Sequence, residues 1–83
     1  MEETATEIEV KTVYEKVVGD LIARLTWKVR FQKGVLALSI ASPALKHELW
    51  YRRESLAQRI NEMLGRQAVK KIVFYETDGL GKK

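Results

Sequence analysis

The sequence has no cysteine, one histidine and one proline among its 83 residues. Without cysteine the chain has no disulfide framework and no thiolate metal site. No apolar run approaches the roughly 18 residues that a membrane-spanning helix needs. The acidic start MEETATEIEV lacks the basic and then apolar layout of a signal peptide. We therefore expect one cytoplasmic domain with no membrane association.

Residues with catalytic potential are equally scarce. The one histidine, His47, lies between Lys46 and Glu48 near the start of a predicted helix, where a solvated surface role is expected. No serine has a histidine or lysine partner at a recognised spacing, and the glycines form neither a phosphate-binding loop nor a dinucleotide fingerprint. We expect no enzyme activity, no metal, no cofactor and no small-molecule substrate.

The charge is unevenly distributed. The first nine residues hold four acids and no base, whereas from Val10 onward 15 Lys and Arg face 7 Asp and Glu, a balance of +8. A basic body suits a polyanionic partner such as nucleic acid. The alternative is a small domain that is basic for no specific reason.

Apolar residues at helical spacing predict a first helix over 10–25. Gly19 interrupts the pattern, and we expect it to allow close packing against a neighbour rather than to break the helix. Residues 1–9 are expected to be a flexible acidic N-terminus and 77–83 a flexible tail, on either side of one domain over 10–76.

Strict alternation after this helix predicts a β-hairpin, with a turn at Lys33-Gly34. A third strand is predicted within 68–76, with a slip in register near Lys70. The residues predicted to face the helices are Trp27, Val29, Phe31, Leu36, Leu38, Ile40, Val69, Ile72 and Phe74.

A second helix is predicted between the hairpin and the third strand. Ser42 is a favourable N-cap, Pro43 suits the first helical position, and Gly65 ends the helix after Leu64. The order helix-strand-strand-helix-strand predicts an α+β, two-layer fold, in which helices cover one face of a three-stranded sheet. The order of the strands in the sheet stays open.

The opposite face of the sheet is the first candidate site. Pleating places there Lys28, Arg30, Gln32, Val35, Ala37, Ser39, Lys71, Val73 and Tyr75. Its cations can follow a phosphate backbone, and Tyr75 can stack on a base. The alternatives are a solvated face and a protein–protein interface.

The second helix carries another basic strip. Arg52 and Arg59 fall on one edge of its apolar stripe, and Arg53 falls on the other edge, with Lys46. Glu48 precedes Arg52 by four residues, which favours an intrahelical ion pair. We therefore expect Arg53, rather than Arg52, to reach a partner.

Two aromatic residues accompany these arginines. Trp50 points away from the centre of the apolar stripe, and Tyr51 follows it. Both are candidate anchors for a protein partner, because Trp and Tyr are enriched in binding hot spots. Alternatively, Trp50 packs on the first helix or lies under a lysine stem.

Taken in order, these segments resemble the DciA-like family, bacterial proteins long catalogued as a domain of unknown function, and most closely its short form in Bacteroidetes-type bacteria. The resemblance covers residues 10–75. It rests on the following residues: Tyr14, Val17, Val18, Gly19, Gly34, Leu36, Ser42, Leu45, Glu48, Leu49, Ile60, Asn61, Leu64, Gly65, Ile72 and Phe74.

The resemblance implies a fold similar to a type II K-homology domain. It also implies a role in DNA replication, in which the protein binds DNA and assists the loading of the replicative helicase. Relative to the family, this chain is expected to start late and to lack the C-terminal extension of longer relatives, and it has no G-x-x-G loop. DNA binding therefore carries over more readily than helicase loading.

We thus expect a non-catalytic DNA-binding domain that contacts phosphates on single- or double-stranded DNA with weak sequence specificity. The residues assigned to nucleic acid are Lys28, Arg30, Arg52, Arg53, Arg59, Lys71 and Tyr75. The alternatives are a protein-interaction module that binds the helicase or itself, and an RNA-binding domain similar to K-homology proteins.

Overall fold

The protein is described by a computed structural model, which defines residues 5–75. The elements are α1 Ala5–Val18, α2 Asp20–Arg24, β1 Thr26–Gln32, β2 Val35–Ile40, α3 Pro43–Tyr51, α4 Arg53–Leu64 and β3 Lys71–Phe74. The predicted α+β class is confirmed, with helices on a three-stranded sheet. The likeness to a type II K-homology domain stays a prediction.

The sheet has the order β1-β2-β3, with β1 antiparallel and β3 parallel to the central strand. Lys33 and Gly34 join β1 to β2 with φ values of 52° and 83°. Two successive left-handed residues make the hairpin turn whose twist matches that of the flanking strands. The predicted turn is confirmed, while α3 and α4 form the crossover to β3.

One core lies between the sheet and the helices. Its most enclosed side chains come from α1, β2 and α4, namely Val10, Tyr14, Leu36, Leu38 and Ile60. Val69, Ile72 and Phe74 also face this core, as predicted. No helix within residues 5–75 is long and apolar enough to span a bilayer.

The first helix differs from its prediction at both ends. It begins at Ala5, so residues 5–9 belong to α1 rather than to a flexible leader. It stops at Val18 because Gly19 adopts φ 90° and ψ 168°, a conformation that is essentially restricted to glycine. A Cβ on Gly19 would meet nothing within 4 Å, so this glycine breaks the helix and does not serve close packing.

The second predicted helix is also divided. Arg52 has φ −101° and ψ 14°, and its N–H donates to the carbonyls of both Glu48 and Leu49, at 3.3 and 3.1 Å. The start of α3 and the end of α4 agree with the predicted start and end of this helix. The Ser42 hydroxyl accepts a hydrogen bond from the N–H of Leu45 at 3.2 Å, and Gly65 is left-handed with φ 78°.

The sequence patterns predict that Leu21 and Met63 belong to the apolar stripes of the two helices and that Trp27 faces the helices, but the structure exposes all three side chains. Leu21 is 69% exposed on α2, beyond the break, and Met63 is 55% exposed on α4. Trp27, expected to face the helices, is 51% exposed, because the register shifts between Thr26 and Lys28 and leaves Trp27 as an extra residue. Such a bulge interrupts the alternation that the prediction assumed.

Candidate nucleic-acid interface

The uncovered sheet face places its cations at opposite edges. Lys28 on β1 pairs with Ser39, and Lys71 on β3 pairs with Val35. Four residues of β2 separate these levels, about 13 Å along the strand, and the two edge strands lie about 10 Å apart. A nucleic-acid backbone that touches both lysines must therefore cross the sheet diagonally over about 16 Å.

Arg30 is less available than the sequence predicted. Its Nε lies 3.3 Å from Oε2 of Glu7, and the same oxygen accepts a hydrogen bond from the N–H of Phe31 at 3.3 Å. The Glu7 side chain is only 8% exposed, whereas that of Arg30 is 56% exposed. The arginine is partly neutralised, and α1 covers one N–H of the edge strand β1.

The environment of Glu7 favours its charged form. The hydrogen bond from the Phe31 N–H lowers the pKa of Glu7 most, burial opposes this, and the Arg30 and Lys11 charges lower the pKa further. Glu7 was not predicted as a functional residue, because residues 1–9 were expected to be a flexible leader. Its position at helical spacing, three residues before Val10, was the only signal in the sequence.

The charges of Lys28 and Lys71 are available to an anionic ligand. Both are exposed and neither forms an ion pair within residues 5–75. Tyr75 is half-buried, and its N–H donates to the carbonyl of Leu38 at 3.0 Å, which continues the parallel pairing past β3. Ser39 is only 2% exposed, so it adds no accessible surface to this face of the sheet.

The arginines around the helix break have different surroundings. Arg52 donates to Oε2 of Glu48 at 2.7 Å, as predicted. Arg53 donates to the carbonyl of Trp50 at 2.8 Å, and its guanidinium lies 3.9 Å from the centre of the Trp50 ring. Trp50 therefore lies under an arginine, rather than under a lysine stem.

The structure divides the predicted site residues into separate groups. Arg59 lines a cleft of about 340 Å³ between α1 and α4, together with Lys16. Arg53 and Lys71 come together at a second cavity, where α4 meets β3, and Lys70 joins them there. From the sequence, Lys70 was predicted only to lie near a slip in the register of the third strand.

The aromatic residues of α3 form an exposed cluster. His47 and Tyr51 meet edge to face with ring centres 4.8 Å apart, and Trp50 and Tyr51 do so at 5.5 Å. Trp50 is 46% exposed and Tyr51 68% exposed. These orientations are the ones that aromatic pairs prefer, so the cluster offers a preformed aromatic surface beside Arg53.

The fold and these surfaces define a small α+β domain with separate groups of exposed cations, one of which adjoins an aromatic cluster through Arg53. A family model described as Dna[CI] antecedent, DciA, matches residues 1–74. The chain therefore belongs to the DciA family, which is associated with loading of the replicative helicase in DNA replication. No curated protein matches the chain.

Proposed function

We propose that this chain is a non-catalytic DNA-binding domain that acts in the cytoplasm during replication and assists helicase loading. The observation that carries the proposal is the set of exposed cations without an acidic partner in the described chain. This set contains Lys28, Lys70 and Lys71 at the sheet and Arg59 on α4. Contacts from such cations go to phosphates, so binding should depend weakly on sequence.

The arrangement favours Lys28 and Lys71 over the other predicted contacts. Arg30 and Arg52 already have carboxylate partners at 3.3 and 2.7 Å. The exposed Arg52–Glu48 pair contributes only about 0–1 kcal/mol, so a phosphate can displace Glu48 from Arg52. The Glu7 partner of Arg30 is buried, so a phosphate must compete with it for the guanidinium. Arg59 faces the cleft between α1 and α4 and would contact a different part of the DNA.

A DNA titration tests the proposal. Labelled single- and double-stranded oligonucleotides of two unrelated sequences are titrated with the protein at several salt concentrations. We expect binding at low salt, similar affinity for both sequences, and a log–log slope of about −0.9 per phosphate contact on duplex DNA or about −0.7 on single strands. Absence of binding at low salt refutes the proposal, and preferential competition by RNA of equal length favours the RNA-binding alternative.

The aromatic cluster on α3 favours a second function, binding of a protein partner such as the replicative helicase. Trp, Tyr and Arg are the residues most enriched in binding hot spots, and Trp50, Tyr51 and Arg53 lie side by side. Tyr51→Ala is the cleaner test because Trp50 also holds Arg53. We expect loss of helicase capture with unchanged DNA affinity.

Trp27→Ala provides the matched control for partner binding. Trp27 is 51% exposed but lies on β1, outside the aromatic cluster. Its removal should leave helicase capture intact. If Tyr51→Ala retains capture as well as the Trp27 variant does, the aromatic cluster is not the partner-binding surface.

A further inference from the structure

A small basic cavity lies at the edge of the domain, between the first turn of α4 and the start of β3. Its volume is about 140 Å³, and it is lined by Arg53, Glu54, Ala57, Lys70, Lys71 and Ile72. Water occupies about 30 Å³ per molecule, so the cavity has room for about five waters or a group of five heavy atoms. Whole small-molecule ligands usually occupy about 300 Å³ or more. The size therefore suits a single phosphate group rather than a complete nucleotide.

The charges around the cavity favour an anion. Three of the six lining residues are cations and one is an acid. Within the described chain, Lys70, Lys71 and Glu54 take part in no ion pair, and neither does Arg53. Glu54 therefore does not already neutralise its basic neighbours, although it lowers the local positive potential.

The surrounding structure orders the side chain of Arg53 and the backbone and alkyl stem of Lys70. Arg53 is held by both the carbonyl and the ring of Trp50. Lys70 is held by the hairpin turn, because its N–H donates to the carbonyl of Gly34 at 2.7 Å. Its alkyl stem passes so close to Gly34 that a Cβ there would lie 3.1 Å from Cγ and Cδ. Preorganisation of this kind reduces the ordering cost of binding.

We propose that this cavity binds one phosphate of the DNA, held by Arg53, Lys70 and Lys71. The inference rests on the proposed DNA-binding function and assigns one contact within it. The phosphate is either a diester of the DNA backbone or a monoester at a strand end. The proposal assigns a binding role to Lys70, and the site lies between α4 and the edge of the sheet.

Two lysine variants and one acid variant test the cavity. Lys70→Met and Lys71→Met remove the charge but keep an apolar stem, so the packing on Gly34 is retained. Each should weaken DNA binding similarly for all sequences and reduce the magnitude of the log–log salt slope by about 1. Glu54→Gln removes the one acid among the described lining residues and should strengthen binding. Arg24→Gln, which removes one charge from α2, is the control and should change neither affinity nor slope.

Oligonucleotides with and without a 5′-phosphate distinguish the two sources of the phosphate. Equal binding of both oligonucleotides, with equal sensitivity to Lys70→Met, assigns a backbone diester. If the 5′-phosphate raises the affinity and Lys70→Met abolishes this increase, the cavity binds the phosphate at a strand end. If the wild-type protein binds DNA but Lys70→Met, Lys71→Met and Glu54→Gln all behave as the Arg24 control, the cavity is not a phosphate site and the proposed function stands.

Inorganic phosphate and pyrophosphate probe the cavity independently of DNA. In spectra of ¹⁵N-labelled protein at low salt, the amides of residues 70–72 should shift on addition of either anion, and Lys70→Met should abolish the shifts. These shifts without DNA binding would refute the proposed function but retain the anion site. Their absence from the wild-type protein would overturn the proposed site.

Discussion

The carboxamide of Asn61 on α4 bonds both backbone groups of Val69. Its Nδ2 donates to the Val69 carbonyl at 2.9 Å, and its Oδ1 accepts from the Val69 N–H at 2.8 Å. Both residues are buried, with Asn61 6% and Val69 3% exposed. Asn61 therefore completes the backbone bonding of the segment that leads into β3, where Lys70 and Lys71 follow.

Asn61→Ala should destabilise the protein. The substitution leaves a buried N–H and a buried carbonyl of Val69 without partners, at a cost of about 1–3 kcal/mol in free energy of unfolding. Urea denaturation followed by circular dichroism measures the loss. Gln67→Ala, which removes only the exposed end of a 3.3 Å bond to Asn61, should change stability by less than about 0.5 kcal/mol. Equal stability of the two variants would contradict this role of Asn61.

Tyr14 and Thr26 should behave as a coupled pair. Thr26 Oγ1 donates its one proton to the carbonyl of Ile22 at 2.8 Å, so the Tyr14 hydroxyl, 2.9 Å away, must donate to it. Burial raises the pKa of Tyr14, so the hydroxyl stays protonated as this bond requires. Thr26→Val should cost about 1–3 kcal/mol because it leaves the fully buried hydroxyl unpaired, and Tyr14→Phe about 0.5–1.5 kcal/mol.

A double-mutant cycle measures this coupling. The Tyr14→Phe/Thr26→Val variant should lose less stability than the sum of the single losses, because the unpaired hydroxyl is no longer present. Thr12→Val serves as the control, since Thr12 bonds only the carbonyl of Ile8 on an exposed surface. Additive losses for Tyr14 and Thr26, within about 0.5 kcal/mol, would refute the coupling.

Features that depend on nearby residues were predictable from the sequence. The cap at Ser42, the left-handed end at Gly65, the Lys33-Gly34 turn and the Glu48–Arg52 pair each involve residues within four positions of one another. Local rules of backbone conformation and helix geometry determine such features. The class of the fold followed from the order of the elements.

Features that depend on distant partners were not predictable. Glu7 meets Arg30 and Phe31 across 23 and 24 residues, and no local pattern signals such a contact. The division of the second helix at Arg52 has no proline or glycine to mark it. The cavity beside Arg53 was missed for the same reason, because it forms only where the fold brings α4 to β3.

The two helix-ending glycines should respond differently to substitution. Gly19 has φ 90° and ψ 168°, which other residues rarely adopt, so Gly19→Ala should cost about 1–3 kcal/mol although the space for a methyl group is free. Gly65 has φ 78° and ψ 17°, a left-handed conformation that Asn tolerates, so Gly65→Asn should cost less. Thermal denaturation compares the two variants. A larger loss at Gly65 would show that contacts, rather than backbone conformation, determine the need for glycine.

The pair formed by Glu7 should make stability sensitive to acid. Its pKa in the folded protein lies below the ordinary value of 4.5, chiefly because the Phe31 N–H donates to the carboxylate. The unfolded chain therefore binds the proton more readily. The resulting stabilisation is fully present above about pH 4.5 and is lost as the pH falls through the lower pKa of the folded state.

Glu7→Gln should reduce the loss of stability at low pH. Free energies of unfolding measured from about pH 6 to about pH 3 should fall less steeply for the variant than for the wild-type protein. Glu9→Gln is the control at neutral pH, because its 2.8 Å pair with Arg66 is half-exposed and pairs of this kind contribute only about 0–1 kcal/mol. If Glu7→Gln and the wild-type protein lose stability with the same pH dependence, the Glu7 contact does not stabilise the fold.

Glu7→Gln should also leave Arg30 without its carboxylate partner. A rise in DNA affinity in this variant, absent from Glu9→Gln, would then identify Arg30 as a contact that Glu7 restrains.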